Sequence, residues 1–228
     1  MKKPVIAIDG YSSTGKSSIS KIIAEKLGIV HLDTGALYRG ITWFALQNCV
    51  NDKDEINLEE LFKSFHLIEL EFKKEEDELV LFLNKINVSK EIRTAEVSDN
   101  VSLIAKQKEV RDFLLEAQRS IARNGGVIMD GRDIGTVVLP DADFKFFLTA
   151  SIEERTKRRY NELLSMGFEA DENQVQENLI ERDRIDSERE ISPLRQAEDA
   201  IVIDNTNLTK SQTIESILQH LTKINNFY

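Results

Sequence analysis

The chain has 228 residues and a mass of 26.1 kDa, enough to bury a sizeable core as one domain with inserted lobes or as two small domains. Hydrophobic residues make up 41% and charged residues 31%, and the formal charge of −10 with a pI near 5.0 argues against a nucleic-acid polymer as partner. No apolar run is long enough to cross a membrane, and the run behind Met1-Lys2-Lys3 stops at Asp9, too short for a secretory leader. Cys49 stands alone, so no internal disulfide can form and a reducing, cytoplasmic compartment is expected. A small anionic ligand stays compatible with this balance if positive charge is concentrated locally, which makes the arginine positions informative.

Val5-Ile6-Ala7-Ile8-Asp9 is a short apolar run with β-branched residues and reads as a buried strand. Gly10-Tyr11-Ser12-Ser13-Thr14-Gly15-Lys16-Ser17-Ser18 follows at once and fits the phosphate-loop pattern. Ile19, Ile22, Ile23 and Leu27 then recur at helical spacing, and Gly28 stands where a helix would stop. Strand, glycine loop and helix come in the order the motif needs. Gly10 and Gly15 take backbone angles closed to other residues and let the chain approach a phosphate. Loop N–H groups and the positive helix end form an anion site. Lys16 reaches the outer phosphates, and the Ser17 hydroxyl is placed to ligate Mg²⁺.

A second short strand is expected over residues 29–32, with His31 as a packed strand residue rather than a metal ligand, since the three histidines are scattered. Residues 36–49 read as a helix, 51–57 as a polar loop and 58–65 as a short helix. From 67 to 88 the apolar spacing turns to alternation: Ile68, Leu70 and Phe72, then Leu79, Leu81 and Leu83, then Ile86 and Val88. That predicts a small antiparallel sheet, with the charge run 73–78 as a solvated turn. Residues 91–124 read as mostly helical, ended by Asn124-Gly125-Gly126. Strands are expected at 127–130, 144–148 and 201–203, and helices at 152–166, 173–191 and 209–224. Strands alternating with helices imply a parallel sheet covered on both faces, with ligands at the carboxyl ends of the strands.

Three clusters set Arg beside Asp. They are residues 33–39, Asp130-Gly131-Arg132-Asp133, and the run from Glu181 to Arg189. In the third, Arg182, Asp186 and Arg189 stand four and three apart and share a helical face. Taken alone, that run reads as an Arg182–Asp186 ion pair with solvated neighbours. The second cluster has the better claim to function, because it follows a buried strand directly. Arginine suits the task, since its planar fork binds phosphate in bidentate fashion and stays charged. Phosphoryl transfer asks for charge neutralisation and alignment rather than a covalent catalyst. The absence of an obvious His or Cys catalyst is therefore compatible with an enzyme.

Together these residues resemble the bacterial cytidylate kinase family of nucleoside monophosphate kinases. The likeness covers nearly the whole chain. It rests on Ile8-Asp9-Gly10 with the phosphate loop, Leu32 through Arg39, Glu91-Ile92-Arg93, and Asp130 through Ala142. Glu181-Arg182-Asp183 through Asp186 completes it. Tyr11 stands where members commonly have proline, and Thr34 where some have serine. The resemblance implies a P-loop NTPase fold with a five-stranded parallel sheet between helices and a core of residues 1–33, 116–150 and 193–228. It adds an acceptor-binding insertion at 34–115, carrying the antiparallel sheet of the long bacterial form, and a helical lid at 151–192. ATP phosphates are expected on Gly10 to Ser18, with Mg²⁺ at Ser17. Thr34 is expected in the CMP site. Arg39, Arg132 and Arg189 are expected to hold the acceptor phosphate, and Ser102, Arg111 and Asp133 to read the cytosine edge. Arg182 and Asp186 are expected to touch the sugar. Lys16, Arg132 and Arg189 are the expected catalytic groups. The implied reaction is reversible transfer of the ATP γ-phosphoryl group to CMP or dCMP by a cytoplasmic monomer. Two rivals keep part of this pattern: a P-loop kinase for another nucleotide or small metabolite, and a non-enzymatic nucleotide switch. Against the switch, Asn84-Lys85-Ile86-Asn87 lacks the final Asp of a guanine-reading motif.

Overall fold

The computed structural model describes residues 3–75 and 78–225. Its elements run β1 (Val5–Gly10), α1 (Lys16–Leu27), β2 (Val30–Asp33), α2 (Thr34–Asn48) and α3 (Leu58–Lys63). Then come β3 (Leu70–Glu75), β4 (Glu78–Leu83), β5 (Ile86–Asn87), α4 (Ala95–Ala105) and α5 (Lys108–Ala122). The chain continues with β6 (Val127–Gly131), β7 (Phe144–Thr149), α6 (Ile152–Ser165), α7 (Glu172–Glu188), β8 (Ile201–Asp204) and α8 (Lys210–Asn225). Two compact units result. Residues 1–32 and 121–228 form the first, and residues 33–120 the second.

In the first unit five strands form a sheet in the order β2-β6-β1-β7-β8. β1 pairs in parallel with both β6 and β7, in a register that sets Asp9 opposite Gly131 and Phe147, and Gly10 opposite Leu148. The loops after β1 and β6 therefore emerge side by side. Ile6, Ile8, Ile128, Phe146, Leu148 and Ile203 share one core with Ile19 and Ile23 of α1 and Ile214 and Ile217 of α8. Ala7, Val127 and Met129 point the other way and are also fully buried, so both faces are covered. That is the covered parallel sheet the alternation of elements predicts, in the P-loop fold the resemblance implies.

The second unit has its own core, built from Leu37, Ile41 and Phe44 of α2, Leu81 and Leu83 of β4, and Ile104 and Leu114. β3, β4 and β5 form an antiparallel sheet, as their alternation predicts. Asn84 and Lys85 both have positive φ (48° and 68°) and form the two-residue turn between β4 and β5. The Asn-Lys pair weighed above against a guanine-reading motif is thus a hairpin turn. The charge run places Glu75 opposite Glu78. Its tip, Glu76 and Asp77, lies outside the described residues.

Several boundaries differ from the sequence expectations, each for a local reason. α2 begins at Thr34, because the Asp33 carboxylate accepts the Ala36 N–H (3.2 Å) and caps it. The segment expected as mostly helical over 91–124 is broken twice: a 3₁₀ turn covers Glu91–Arg93, and Thr94 restarts the helix by accepting from Val97 N (3.4 Å). Lys106 then ends α4, and no glycine or proline marks that break. α7 stops at Glu188, short of residue 191. Arg189 is already extended (φ −60°, ψ 141°), and the chain folds back so that Leu194 N donates to the Asp186 carbonyl at 2.7 Å.

Candidate active site

The first glycine turn is shaped by backbone geometry no ordinary residue adopts readily. Gly10 has φ 146° and Gly15 has φ 87°, and between them Ser13 sits at φ 59°. α1 starts at Lys16, so its free N–H groups face the loop. The Lys16 ammonium is buried and folds back to the Tyr11 carbonyl, with Thr14 Oγ1 at 3.4 Å. Burial, and after it the Arg132 charge, holds this amine well below the usual lysine value, while Asp130, Asp9 and Asp183 pull it back up.

Behind the loop lies a chain of oxygen and nitrogen groups. Ser17 Oγ donates to Asp130 Oδ2 (2.6 Å), and His31 Nε2 lies 2.7 Å from Asp130 Oδ1. His31 is therefore more than a packed strand residue, although it is not a ligand in any histidine cluster. A hydroxyl beside a buried carboxylate is a donor set suited to a hard divalent cation. Among the described residues no group of three or more His, Cys, Asp or Glu side chains stands at metal-binding distance. Such a cation would complete its shell with water and phosphate oxygens.

The loop after β6 carries Arg132 and Asp133. It is held by Asp9, whose two oxygens accept from Ile134 N and Gly135 N at 2.7 Å each. That carboxylate ends β1, so one acidic side chain ties the two neighbouring loops together. Burial pushes its carboxyl up to about 7, against the pull of the two N–H groups. A folded-state value above the ordinary 3.8 means the folded protein keeps a proton the unfolded chain has lost. The Asp9 contribution is then fully present below about pH 4 and lost as pH rises through about 7. Denaturant unfolding from pH 4 to 8 is expected to show a shallower decline for Asp9→Asn than for the parent over that window. Parallel profiles would refute the assignment.

Arg132 is the hub of the charged cluster. Its Nε donates to Asp186 Oδ2 (2.9 Å) and its Nη2 to Ser12 Oγ (2.7 Å). Arg189 comes to the same place, 3.6 Å from Asp186 and 3.7 Å from Asp133. The structure thus joins half-buried Arg132 with buried Asp133, Asp186 and Arg189 in one network. The Asp186 carboxylate spans from α7 to the β6 loop instead of serving only its own helix. Burial alone would raise its carboxyl, but the Arg132, Arg189 and Arg182 charges outweigh that and hold it below the usual range. Arg189 lies one residue past the end of α7, not on its face, and its Nε is fixed by the Ser192 carbonyl (2.7 Å).

Arg182 lies on α7 and Ser18 on α1 in the first unit, while Thr34, Arg39, Ser102 and Arg111 lie in the second. Thr34 is buried at the first position of α2. Arg39 Nη2 donates to Asp33 Oδ2 (2.7 Å), while its buried Nε has no protein partner. Ser102 is buried within α4. Arg111 donates to the Ala105 carbonyl (3.0 Å), with its guanidinium 5.3 Å from the Tyr38 ring centre.

Spacing did not single out Asp9 or the partners of the loop backbone. Arg155 and Arg158 lie on α6, and Arg155 is buried. Arg158 reaches Asn205 Oδ1 (3.0 Å) and the Asn205 carbonyl (2.8 Å). A charged residue closing an apolar strand was the one available signal for Asp9.

The model of the cytidylate kinase family matches residues 6–223. The chain is 45% identical over 217 residues to cytidylate kinases of Bacillus thuringiensis (strain Al Hakam) and Bacillus cereus (strain AH187), covering 95% of each chain. Among solved structures, an uncharacterized protein from Eubacterium ventriosum ATCC 27560 shares the fold with a TM-score of 0.51 and 13% identity, over 97% of this chain and 99% of that one. With a phosphate loop, an arginine hub beside it and a family match across almost its whole length, the chain belongs to the cytidylate kinase family.

Proposed function

We propose that this protein transfers the γ-phosphoryl group of ATP, reversibly, to CMP or dCMP, releasing ADP and the nucleoside diphosphate. The observation that carries this reading is Arg132, fixed by Ser12 Oγ at 2.7 Å and Asp186 at 2.9 Å, so that a half-buried cation stands beside the first glycine turn. Two mutually repelling anions need such a charge between them. Gly10 through Ser18 cradle the ATP phosphates, with Lys16 on the outer ones. Mg²⁺, held at Ser17 with Asp130 behind it, would neutralise phosphate charge. An acceptor monoester has a second pKa near ~6 and is largely dianionic at neutral pH, so its oxygen attacks without a strong general base.

The resemblance distributes the acceptor among further residues. Arg132 and Arg189 take the acceptor phosphate together with Arg39, whose orphaned Nε is a donor in want of an acceptor. Ser102 and Arg111 offer donors to the cytosine carbonyl and ring nitrogen, and Asp133 accepts from its amino group. Arg182 and Asp186 address the sugar, and Thr34 completes the set. Residues 34–115 serve as the acceptor-binding insertion and 151–192 as a lid that excludes water from the reacting phosphates. The protein acts as a monomer in the cytoplasm, where the buried Cys49 thiol stays reduced.

An ADP-release assay over CMP, dCMP, UMP, AMP and shikimate tests the assignment. Turnover with CMP and dCMP is expected, and turnover with AMP or shikimate but not CMP would overturn it. Asp133→Ala is expected to raise the CMP KM by about tenfold or more, as loss of a buried recognition hydrogen bond does. ATP affinity should stay within about twofold. Unchanged CMP kinetics would remove Asp133 from base reading.

A further inference from the structure

A loop that turns its N–H groups toward a phosphate turns its carbonyls away, and buried carbonyls need donors. The Tyr11 carbonyl takes its donors from Lys16 and Thr14 within the motif, but those of Ser12 and Thr14 take theirs from outside it. Arg155 Nη1 donates to the Ser12 carbonyl (3.3 Å), and Asn205 Nδ2 donates to the Thr14 carbonyl (2.9 Å), with Arg158 Nη1 at 3.5 Å from the same oxygen. Ser12 is gripped at every polar atom. Its N–H donates to Asp183 Oδ1 (3.3 Å), its carbonyl accepts from Arg155, and its hydroxyl accepts from Arg132. Arg155 and Asp183 are themselves ion-paired and buried. Arg155 is fixed twice more, by the Ala150 carbonyl (3.0 Å) and by the Tyr11 ring, 5.2 Å from its guanidinium carbon.

Asp183 and Asp186 stand three apart on α7, so they share one side of that helix. Asp183 accepts from the Ser12 N–H directly, and Asp186 reaches the Ser12 hydroxyl through Arg132. We propose that Arg155 and Asp183 are positioning residues for the ATP phosphates: their ion pair fixes the Ser12 peptide, and so ties the shape of the phosphate loop to the placement of α7. The proposal deepens the kinase reading and rests on the loop being the ATP site.

The pair is separable from that reading by calorimetric titration of ATP without acceptor, done first on the parent. No ATP binding by the parent would overturn both. With the parent binding, Asp183→Ala is expected to weaken ATP affinity about tenfold, the loss that follows an orphaned buried N–H. The KM for CMP should stay within about twofold. ATP affinity equal to the parent's would overturn the clamp, whatever happens to Tm. A second variant covers a failure to fold. Arg155→Met with Asp183→Leu replaces the buried pair by apolar volume, which folded proteins often accept. Its ATP affinity is expected to stay reduced about tenfold with Tm near the parent's, since neither new side chain can hold the Ser12 peptide. Parent-like ATP affinity in this double variant would show that the pair matters only as buried charge, and would overturn the proposal.

Discussion

Replacing Arg132 by alanine is expected to lower turnover by about 10³-fold at saturating ATP and CMP, the scale on which arginines that stabilise a transferring phosphoryl group contribute. The reason is where the guanidinium sits. Partial burial would weaken its charge, but the Asp186 carboxylate at 2.9 Å more than restores it, so a full cation persists in a half-buried place. A charge held there needs no reorganisation when negative charge is redistributed in the transition state. Arg132→Lys is expected to fall between the two, because it keeps the charge and loses the fork. Near-normal kcat in Arg132→Ala would make the residue structural.

The same variant has a stability signature. Asp186 is held below the ordinary carboxylate value of 3.8, so its ionic contribution is present above that pH and fades as pH falls through the folded-state value. Losing Arg132 removes the leading charge that holds it there. The stability gap between parent and variant is therefore expected to narrow in acid, below about pH 4.

Gly10→Ala is expected to destabilise the protein by about 4 kcal/mol or more, a size reserved for a severe local conflict. A methyl group on Gly10 would stand 2.0 Å from the Leu148 carbonyl oxygen and 2.9 Å from its carbon, on a residue whose φ of 146° already excludes most side chains. The obstacle is backbone. β1 lies between β6 and β7, and Gly10 is paired with Leu148 itself, so relief requires breaking the sheet where the loop begins. Gly15→Ala is the internal control. Its φ of 87° carries strain, but the nearest foreign atom to its added carbon is Ile19 Cδ1 at 3.5 Å. It is expected to cost about 1–3 kcal/mol. Denaturant unfolding of the two variants checks the contrast, and equal costs would refute it.

Much of the fold is legible in short stretches because its causes are local. Val5 to Asp9 is apolar enough to be nothing but a buried strand, and the loop after it carries its glycines at the positions where φ is positive. Alternation over 68–83 predicts the hairpin, since a strand period of two places every second side chain inside. Boundaries set by side-chain hydrogen bonds were harder. The Thr94 cap and the stop at Arg189 depend on which backbone groups a folded neighbour leaves unpaired.

The candidate site divides in the same way. Gly10 through Ser18 and the cluster Asp130 to Asp133 announce themselves, because phosphate chemistry needs those residue types next to strand ends. Ser102 and Arg111 came only through likeness to a family, since nothing in their spacing sets them apart from residues of an ordinary helix, while Arg182 and Asp186 share a helical face but read alone as a common ion pair. Asp183 reads in sequence as a solvated neighbour of the Arg182–Asp186 pair, yet it forms a buried pair with Arg155 at the back of the loop.

The sequence by itself determined the order of the strands and helices, the nucleotide loop and the family, because hydrophobic period, glycine geometry and motif spacing act over a few neighbouring residues. Only the tertiary structure decided which charges face one another. Asp9 binds the loop after β6, 125 residues away, and Asp183 binds Ser12, 171 residues away. Such pairings are invisible along the chain, since a carboxylate looks the same in sequence whether it ends in water or is desolvated against one particular N–H.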